Sequence, residues 1–440
     1  MTKFFCRRLL LISGLLLTTG HVLAQQALPP LTPAVEQSLE RIAKHEKVLK
    51  AFEAIRSDSV RMFEEQVRIN EIPAPPFKEA VRAAYYLKKF REAGLKDATI
   101  DKEGNVIGVR RGSGKGPKLV VSAHLDTVFP EGTDVKVREK GGRFYGPGIY
   151  DDALGLTTLL TLLENMNKQA IGTVGDVIFV GTVGEEELGD LRGVKALFRD
   201  MKDIDGFISL DGVGLGRIVN HATGSHRYFA EFKGPGGHSF SAFGLPSAIH
   251  AMGRAIAKMG DLVPPTNPKT TFTVGTVKGG TSVNAIAGDA TMAIDIRSNG
   301  QDALLAFEKL IMAAIKEAVD EENKRWNAKT PISGELKLVG NRPAGITAMD
   351  SNIVQVARVA LRQVGVERVS ITASSTDSNW PMSLGIPAIT LSSAGIGGGA
   401  HSLNEWYTPV NNWLGPQNVL LTILGLAGFE GVTEPLLPKR

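Results

Sequence analysis

Between residues 98 and 212 the chain alternates short apolar runs with amphipathic stretches, and no other feature limits its architecture as much. The runs Val106–Val109, Leu119–Ala123, Val177–Val180 and Phe207–Leu210 have the length and composition of buried strands. Between them, Leu156, Leu159, Leu160 and Leu163 share one face of a helix over 153–167, and another helix is expected near 191–200. Strands alternating with helices predict an α/β fold, a mixed sheet with helices on both faces. In such sheets, functional residues collect just beyond the carboxyl ends of strands. His124, Glu185, Glu186 and Asp211 all stand there, and Asp151 opens a helix after the turn Gly146-Pro147-Gly148.

The pattern changes over 222–338. A strand at Arg227–Phe232, a helix at 245–258, strands at Thr271–Val277 and Ala290–Arg297, a charged helix at 302–326 and a strand at Glu335–Val339 give the order β-α-β-β-α-β. This α+β unit is inserted into a larger discontinuous domain spanning 25–221 and 339–440. The larger domain begins with amphipathic helices at 51–69 and 78–93. It resumes with a helix at 350–364, strands near 368–373 and 388–392, and a last helix near 416–428. The Gly-rich loop 395–399 is expected to let backbone approach a ligand.

Residues 1–24 read as a signal peptide: Lys3, Arg7 and Arg8 precede the apolar run Leu9–Leu17, and Val22-Leu23-Ala24 suits cleavage before Gln25. Cys6 precedes the apolar run, where a lipoprotein cysteine would follow it, so no lipidation is expected. Cleavage would remove three basic residues and no acidic ones, changing Lys+Arg against Asp+Glu from 50:46 to 47:46. A near-neutral chain offers no electrostatic footprint for nucleic acid and no reason for stable membrane association after cleavage. The remaining chain has no cysteine and is exportable without disulfides. The expected location is exported, periplasmic or secreted.

Taken singly, the candidate functional residues have ordinary alternatives. His124 and Asp126 fit a loop hydrogen bond, Asp151-Asp152 a favourable helix start, Glu185-Glu186-Glu187 a solvated acidic turn, Asp211 a cap and His401 a surface histidine. Three adjacent acids against a core strand repel one another unless protons or a cation compensate. Together these residues supply two imidazoles, several carboxylates and no thiolate, a donor set suited to zinc or a similar divalent ion. Two such ions sharing a carboxylate and a water hydrolyse amides. A two-metal phosphatase is disfavoured, because no phosphate cradle or arginine cluster is recognisable.

The ordered set His124-Leu125-Asp126-Thr127-Val128, Gly148-Ile149-Tyr150-Asp151-Asp152, Gly184-Glu185-Glu186 and Ala400-His401-Ser402 resembles the M20 metallopeptidases, over about residues 55–430. That group includes glutamate carboxypeptidases, peptidase T and amino-acid deacylases. The resemblance implies a zinc-peptidase-like catalytic domain holding two Zn2+ per subunit, with Co2+ or Mn2+ as alternatives, and an inserted lid or dimerisation domain. It implies that Asp151 bridges the metals, that His124 and Asp211 complete one site, and that Glu186 and His401 complete the other. Glu185 would be the general base and Asp126 the support for His124. In the insertion, His238 of Gly236-Gly237-His238-Ser239 would reach a neighbouring subunit's active site and stabilise the oxyanion. Asn284 would contact substrate, and Arg342 of Asn341-Arg342-Pro343-Ala344 would grip a substrate carboxylate. Arg297 is open to the same role or to an ion pair with Asp295. The chain departs from many members in having Ala153 where a lysine follows the bridging acid, which weakens assignment to a subfamily. The expected substrate is a small peptide. An N-acyl amino acid is the alternative, and a non-catalytic binding protein on the same scaffold is a more distant one.

Overall fold

The computed structural model describes residues 28–440; the expected leader, 1–24, lies outside them. A nine-stranded mixed sheet forms the centre. Its middle is parallel: Asp176–Thr182, Lys118–His124, Gly206–Val213 and Ala388–Ser393 lie side by side. Val106–Arg110 pairs antiparallel on one side, and the short strand Thr99–Ile100 closes that edge. Arg217–Ala222 lies antiparallel to Ala388–Ser393 on the other. Ser370–Ser374 and Gly345–Ile346 then pair with Arg217–Ala222.

Alternation along the strands divides the apolar residues between two cores. Leu119, Val121, Ala123, Val177 and Phe179 pack under the helices Ala153–Lys168, Asn352–Gln363 and Leu414–Ala427. Val120, Ile178, Val180 and Phe207 face the opposite side and pack with Val194, Leu197 and Phe198 of the helix Arg192–Asp200. Both faces are covered, so the central strands read as unbroken apolar runs. The helix Leu414–Ala427 is buried along its whole length, which is why it carries no charge.

The insertion has its own core. Thr270–Gly279, Asp289–Ser298, Gly224–Lys233 and Ser333–Arg342 form a four-stranded antiparallel sheet in that order. The helices Ala248–Gly260 and Gln301–Arg325 bury Ala251, Met252, Ala255, Phe307, Ile311 and Ile315 against Phe232, Met292 and Ile294. The last strand runs to Arg342 and so carries that arginine out of the insertion towards the larger sheet.

Two details differ from the sequence-based expectation. The stretch 51–69 is part of two helices, Glu46–Ser57 and Ser59–Asn70, broken at Asp58. The strand Arg217–Ala222 carries no signal strong enough to separate it from its neighbours. The glycines of 395–399 also allow close packing. A Cβ on Gly395 would lie 2.3 Å from the Tyr407 ring, and one on Gly399 would lie 2.9 Å from the Asn404 carbonyl.

Candidate metal centre and active-site cleft

Parallel strands end together, so the loops after Lys118–His124, Asp176–Thr182 and Gly206–Val213 meet at one edge. There the structure gathers Asp151, Glu185, Glu186, Asp211 and His401 in a cleft of about 390 Å3, with His124 buried beneath them. His124 Nε2 is 3.0 Å from Asp151 Oδ1. His401 Nε2 is 3.2 Å from Asp151 Oδ2 and 3.2 Å from Glu186 Oε1. The two oxygens of one carboxylate therefore face two different imidazoles. Potential ligand atoms fall into three close sets: His124, Asp151, Asp211; His124, Glu185, Glu186; and Asp151, Glu186, His401.

Buried carboxylates pin each loop. Asp126 accepts from the backbone N–H groups of Glu185 (3.1 Å) and Glu186 (2.8 Å), tying two strand ends together. Its expected support of His124 takes a different form. The His124 Nδ1 is 3.0 Å from the Asp126 backbone carbonyl and 3.7 Å from its carboxylate, so the carbonyl holds the ring. Asp152 accepts from His124 N at 2.9 Å and Gly155 N at 3.1 Å, capping the helix behind Asp151. The Asp151–Asp152 peptide is cis. Glu405 accepts from Gly148 N (2.9 Å), Tyr150 N (3.0 Å) and Asp151 N (3.2 Å). Ala400 N donates to the Tyr150 hydroxyl at 3.0 Å, linking the His401 loop to the same turn. His401 itself has φ +60°, a conformation that costs a non-glycine residue free energy and has to be held by its surroundings.

Burial sets the electrostatics. It pushes Asp211 up to about 7, with Asp151 adding to the rise. It also drives Glu185 well above the carboxylate range, although Arg342 opposes it. Hydrogen bonds to Asp151 and Glu186 raise His401 to about 11. Burial alone would lower His124, but the carboxylates of Asp126 and Asp151 outweigh it and raise its pKa well above the usual range. So many acids in one buried place repel one another unless positive charge is close by, and Arg342 and the two imidazoles supply part of it. Divalent cations fit the same positions, because nitrogen and oxygen donors surround them and the excess negative charge needs a partner.

Not every expected residue joins the cleft. His238 and Asn284 sit together on the insertion: the His238 strand residue pairs with Ala285, and Ser239 N donates to the Asn284 carbonyl at 3.0 Å. Both are exposed, and neither lines the cleft. Arg297 lines it and donates Nε to Asp295 Oδ2 at 2.7 Å. Arg342, expected to grip a substrate carboxylate, lines the cleft as well. It is buried, and its Nη1 donates to Glu185 Oε1 at 3.0 Å while Nη2 donates to the Glu185 carbonyl. These contacts make it a partner for Glu185. No arginine cluster is recognisable in the sequence, yet Arg217, Arg227, Arg297 and Arg342 all line the cleft. A larger cleft of about 1020 Å3, beside Arg143 and Trp406, contains none of the candidate ligands.

A profile of peptidase family M20/M25/M40 matches residues 120–423. The chain belongs to that family. Being an M20 member, it is a hydrolase of the metallopeptidase type. It is 26% identical over 348 residues to the uncharacterized protein YqjE of Bacillus subtilis, covering 75% of this chain and 89% of that one. Its fold matches the aminopeptidase PepT of Bacillus cereus with a TM-score of 0.67 at 24% identity, over 83% of this chain and 98% of that chain. It matches a tripeptidase of Staphylococcus aureus with a TM-score of 0.69 at 23% identity, over 83% and 97% respectively.

Several residues around this M20 centre were not singled out from sequence. Asp152 is visible only as a neighbour of Asp151. Glu405 follows His401 by four residues, but nothing local shows that it caps a turn more than 250 residues earlier. Arg82 is fully buried and donates to the carbonyls of Leu125 (2.8 Å), Ile72 (2.9 Å) and Asn70 (3.2 Å). It lies on a helix whose polar residues are otherwise mostly solvated. Replacing Glu405 by Ala leaves three buried N–H donors without acceptors. It is expected to cost about 3 kcal/mol or more of stability and to weaken metal retention. Denaturant unfolding and metal analysis of the dialysed protein would check this, and unchanged stability would remove Glu405 from its positioning role.

Proposed function

We propose that this chain is an exported dinuclear metallopeptidase that hydrolyses an amide bond in small peptides. The observation that carries the reading is the placement of Asp151, one oxygen towards His124 and the other towards His401, with Glu185 beside Glu186 in the same cleft. In this reading His124, Asp151 and Asp211 hold one divalent cation, and Asp151, Glu186 and His401 hold the other; zinc suits these donors. Bound there, the cations supply Lewis-acid activation of water and of the scissile carbonyl.

The protein's own contribution is proton handling and shape. Glu185 takes a proton from the attacking water and returns it to the leaving amine. Its carboxylate is aimed by Arg342 on one side and by the Asp126 bond to its backbone on the other. His238 is assigned to the cleft of a second copy of the chain, where it would donate to the developing oxyanion. Its exposure on the insertion, away from the lining of its own cleft, supports this assignment. Export is inferred from the leader-like residues 1–24. No described helix is long and apolar enough to cross a membrane.

The similarity to an aminopeptidase and a tripeptidase supports peptides over N-acyl amino acids as substrates. The test is a panel of di- and tripeptides and N-acyl amino acids, assayed with metal-stripped and zinc-loaded protein and with products identified by mass. Zinc-dependent peptide cleavage is expected. Cleavage of N-acyl amino acids alone would turn the assignment to a deacylase, and absence of turnover with metal bound would end it.

A further inference from the structure

Four guanidinium groups line the cleft, and their partners do not balance them. Arg342 is matched by Glu185. Arg227 and Arg297 share one carboxylate, Asp295, at 3.4 and 2.7 Å. Arg217 forms no ion pair among the described residues; its Nε donates to Thr372 Oγ1 at 3.2 Å, and its terminal nitrogens have no acceptor there. Glu185 and Asp295 therefore offset two of the four cations. Two positive charges remain on separate walls, one on the large sheet and one on the insertion.

Arg217 reaches the cleft for a topological reason. Its strand runs antiparallel to Ala388–Ser393, so its first residue lies at the edge where the parallel strands end. The bond to Thr372, on the adjoining parallel strand Ser370–Ser374, holds the guanidinium plane from the back. Gly212 lines the same cleft, and a Cβ there would come within 3.6 Å of Arg217 Nη1. A planar fork with both terminal nitrogens open suits a carboxylate. Asp211 does not fill it: it feels the charge of Arg217 without bonding to it, and it belongs to the proposed metal set.

We infer that Arg217 binds a substrate carboxylate additional to the chain terminus, which makes peptides with Asp or Glu beside the cleaved bond the preferred class. This rests on the amide-hydrolysis reading above. The two surplus charges then meet two anionic groups, a terminal carboxylate and an acidic side chain.

The experiment compares matched peptides differing only in charge, Ala-Glu with Ala-Gln, Glu-Ala with Gln-Ala, and the Asp and Asn equivalents, on zinc-loaded protein. In at least one pair the acidic member is expected to have a kcat/KM at least about tenfold higher, the scale of one charge-assisted hydrogen bond, with the gain in KM. Arg217→Gln should bring that ratio towards one, and Arg217→Lys should recover part of it. Equal rates within every pair in the wild-type protein would overturn the inference while leaving peptide hydrolysis standing. A fall in Arg217→Gln that is the same for both members of each pair would also overturn it, reducing Arg217 to a neighbour of Asp211. Metal-loaded protein that cleaves neither member of any pair would instead fail the underlying hydrolase reading. The wild-type comparison needs no variant, so a misfolded Arg217→Gln does not prevent a decision.

Discussion

Glu185→Gln is expected to lower kcat by about 10²–10⁴-fold, the contribution of a positioned general base, while two metal ions per chain remain bound. The amide keeps an oxygen for Arg342 Nη1, now 3.0 Å from Glu185 Oε1, so the loop has no reason to move. What it loses is the ability to take a proton from water and pass it to the leaving amine. Metal content by mass spectrometry and kcat on a cleaved peptide are the two readouts. A variant with full metal and full turnover would transfer the proton-handling role elsewhere. A variant that loses metal would show Glu185 to be a ligand, a role compatible with its place in the set with His124 and Glu186.

Asp151→Ala should do more, because it removes the one side chain shared by both halves of the centre. Its oxygens lie 3.0 Å from His124 Nε2 and 3.2 Å from His401 Nε2, so His124 Nε2 loses its carboxylate partner and His401 is left with Glu186 alone. Bound metal is expected to fall from two ions per chain to one or none. Activity should drop by more than the roughly 10–100-fold typical of changes to groups that merely orient ligands. Excess zinc is not expected to restore it. Retention of two tightly bound ions would contradict the bridging role. Circular dichroism separates loss of metal from loss of fold. Asp151 is held through its backbone N–H by Glu405, so removing its side chain leaves the turn's hydrogen bonds in place.

Much of the fold is legible in the amino-acid sequence, because local periodicity reports burial. The apolar runs of the parallel strands and the insertion's β-α-β-β-α-β order are written in short windows of sequence. Less is legible where a segment is short or its burial is one-sided. The strand Arg217–Ala222 begins with a charge and contains Asn220 and His221, so it does not read as a central strand; it is one because Ala388–Ser393 and Ser370–Ser374 pair with it. The break at Asp58 is hidden because helix-forming residues continue on both sides of it.

The candidate centre shows the same division. The ordered set of His124, Asp151, Glu185, Glu186, Asp211 and His401 is enough to nominate them together, although each taken singly has an ordinary alternative. The partners of those residues are not in the local pattern. Arg342 meets Glu185 across 157 residues of chain, and Glu405 meets Gly148 across 257. Such pairings depend on sheet order and on where each strand stops. The fourfold arginine lining is likewise invisible locally, because Arg217, Arg227, Arg297 and Arg342 lie on separate segments of the chain.

Side-chain identity and hydrophobic period are local properties, so the amino-acid order alone reports which chemical groups are available and near which strand ends they stand. Folding adds that Arg342 serves Glu185, that the Asp126 carbonyl rather than its carboxylate holds His124, that His238 stays out of its own cleft, and that Arg217 has no ion-pair partner among the described residues. Each of those depends on distances between segments far apart in the chain, which are set by how the strands order and register as the two cores close.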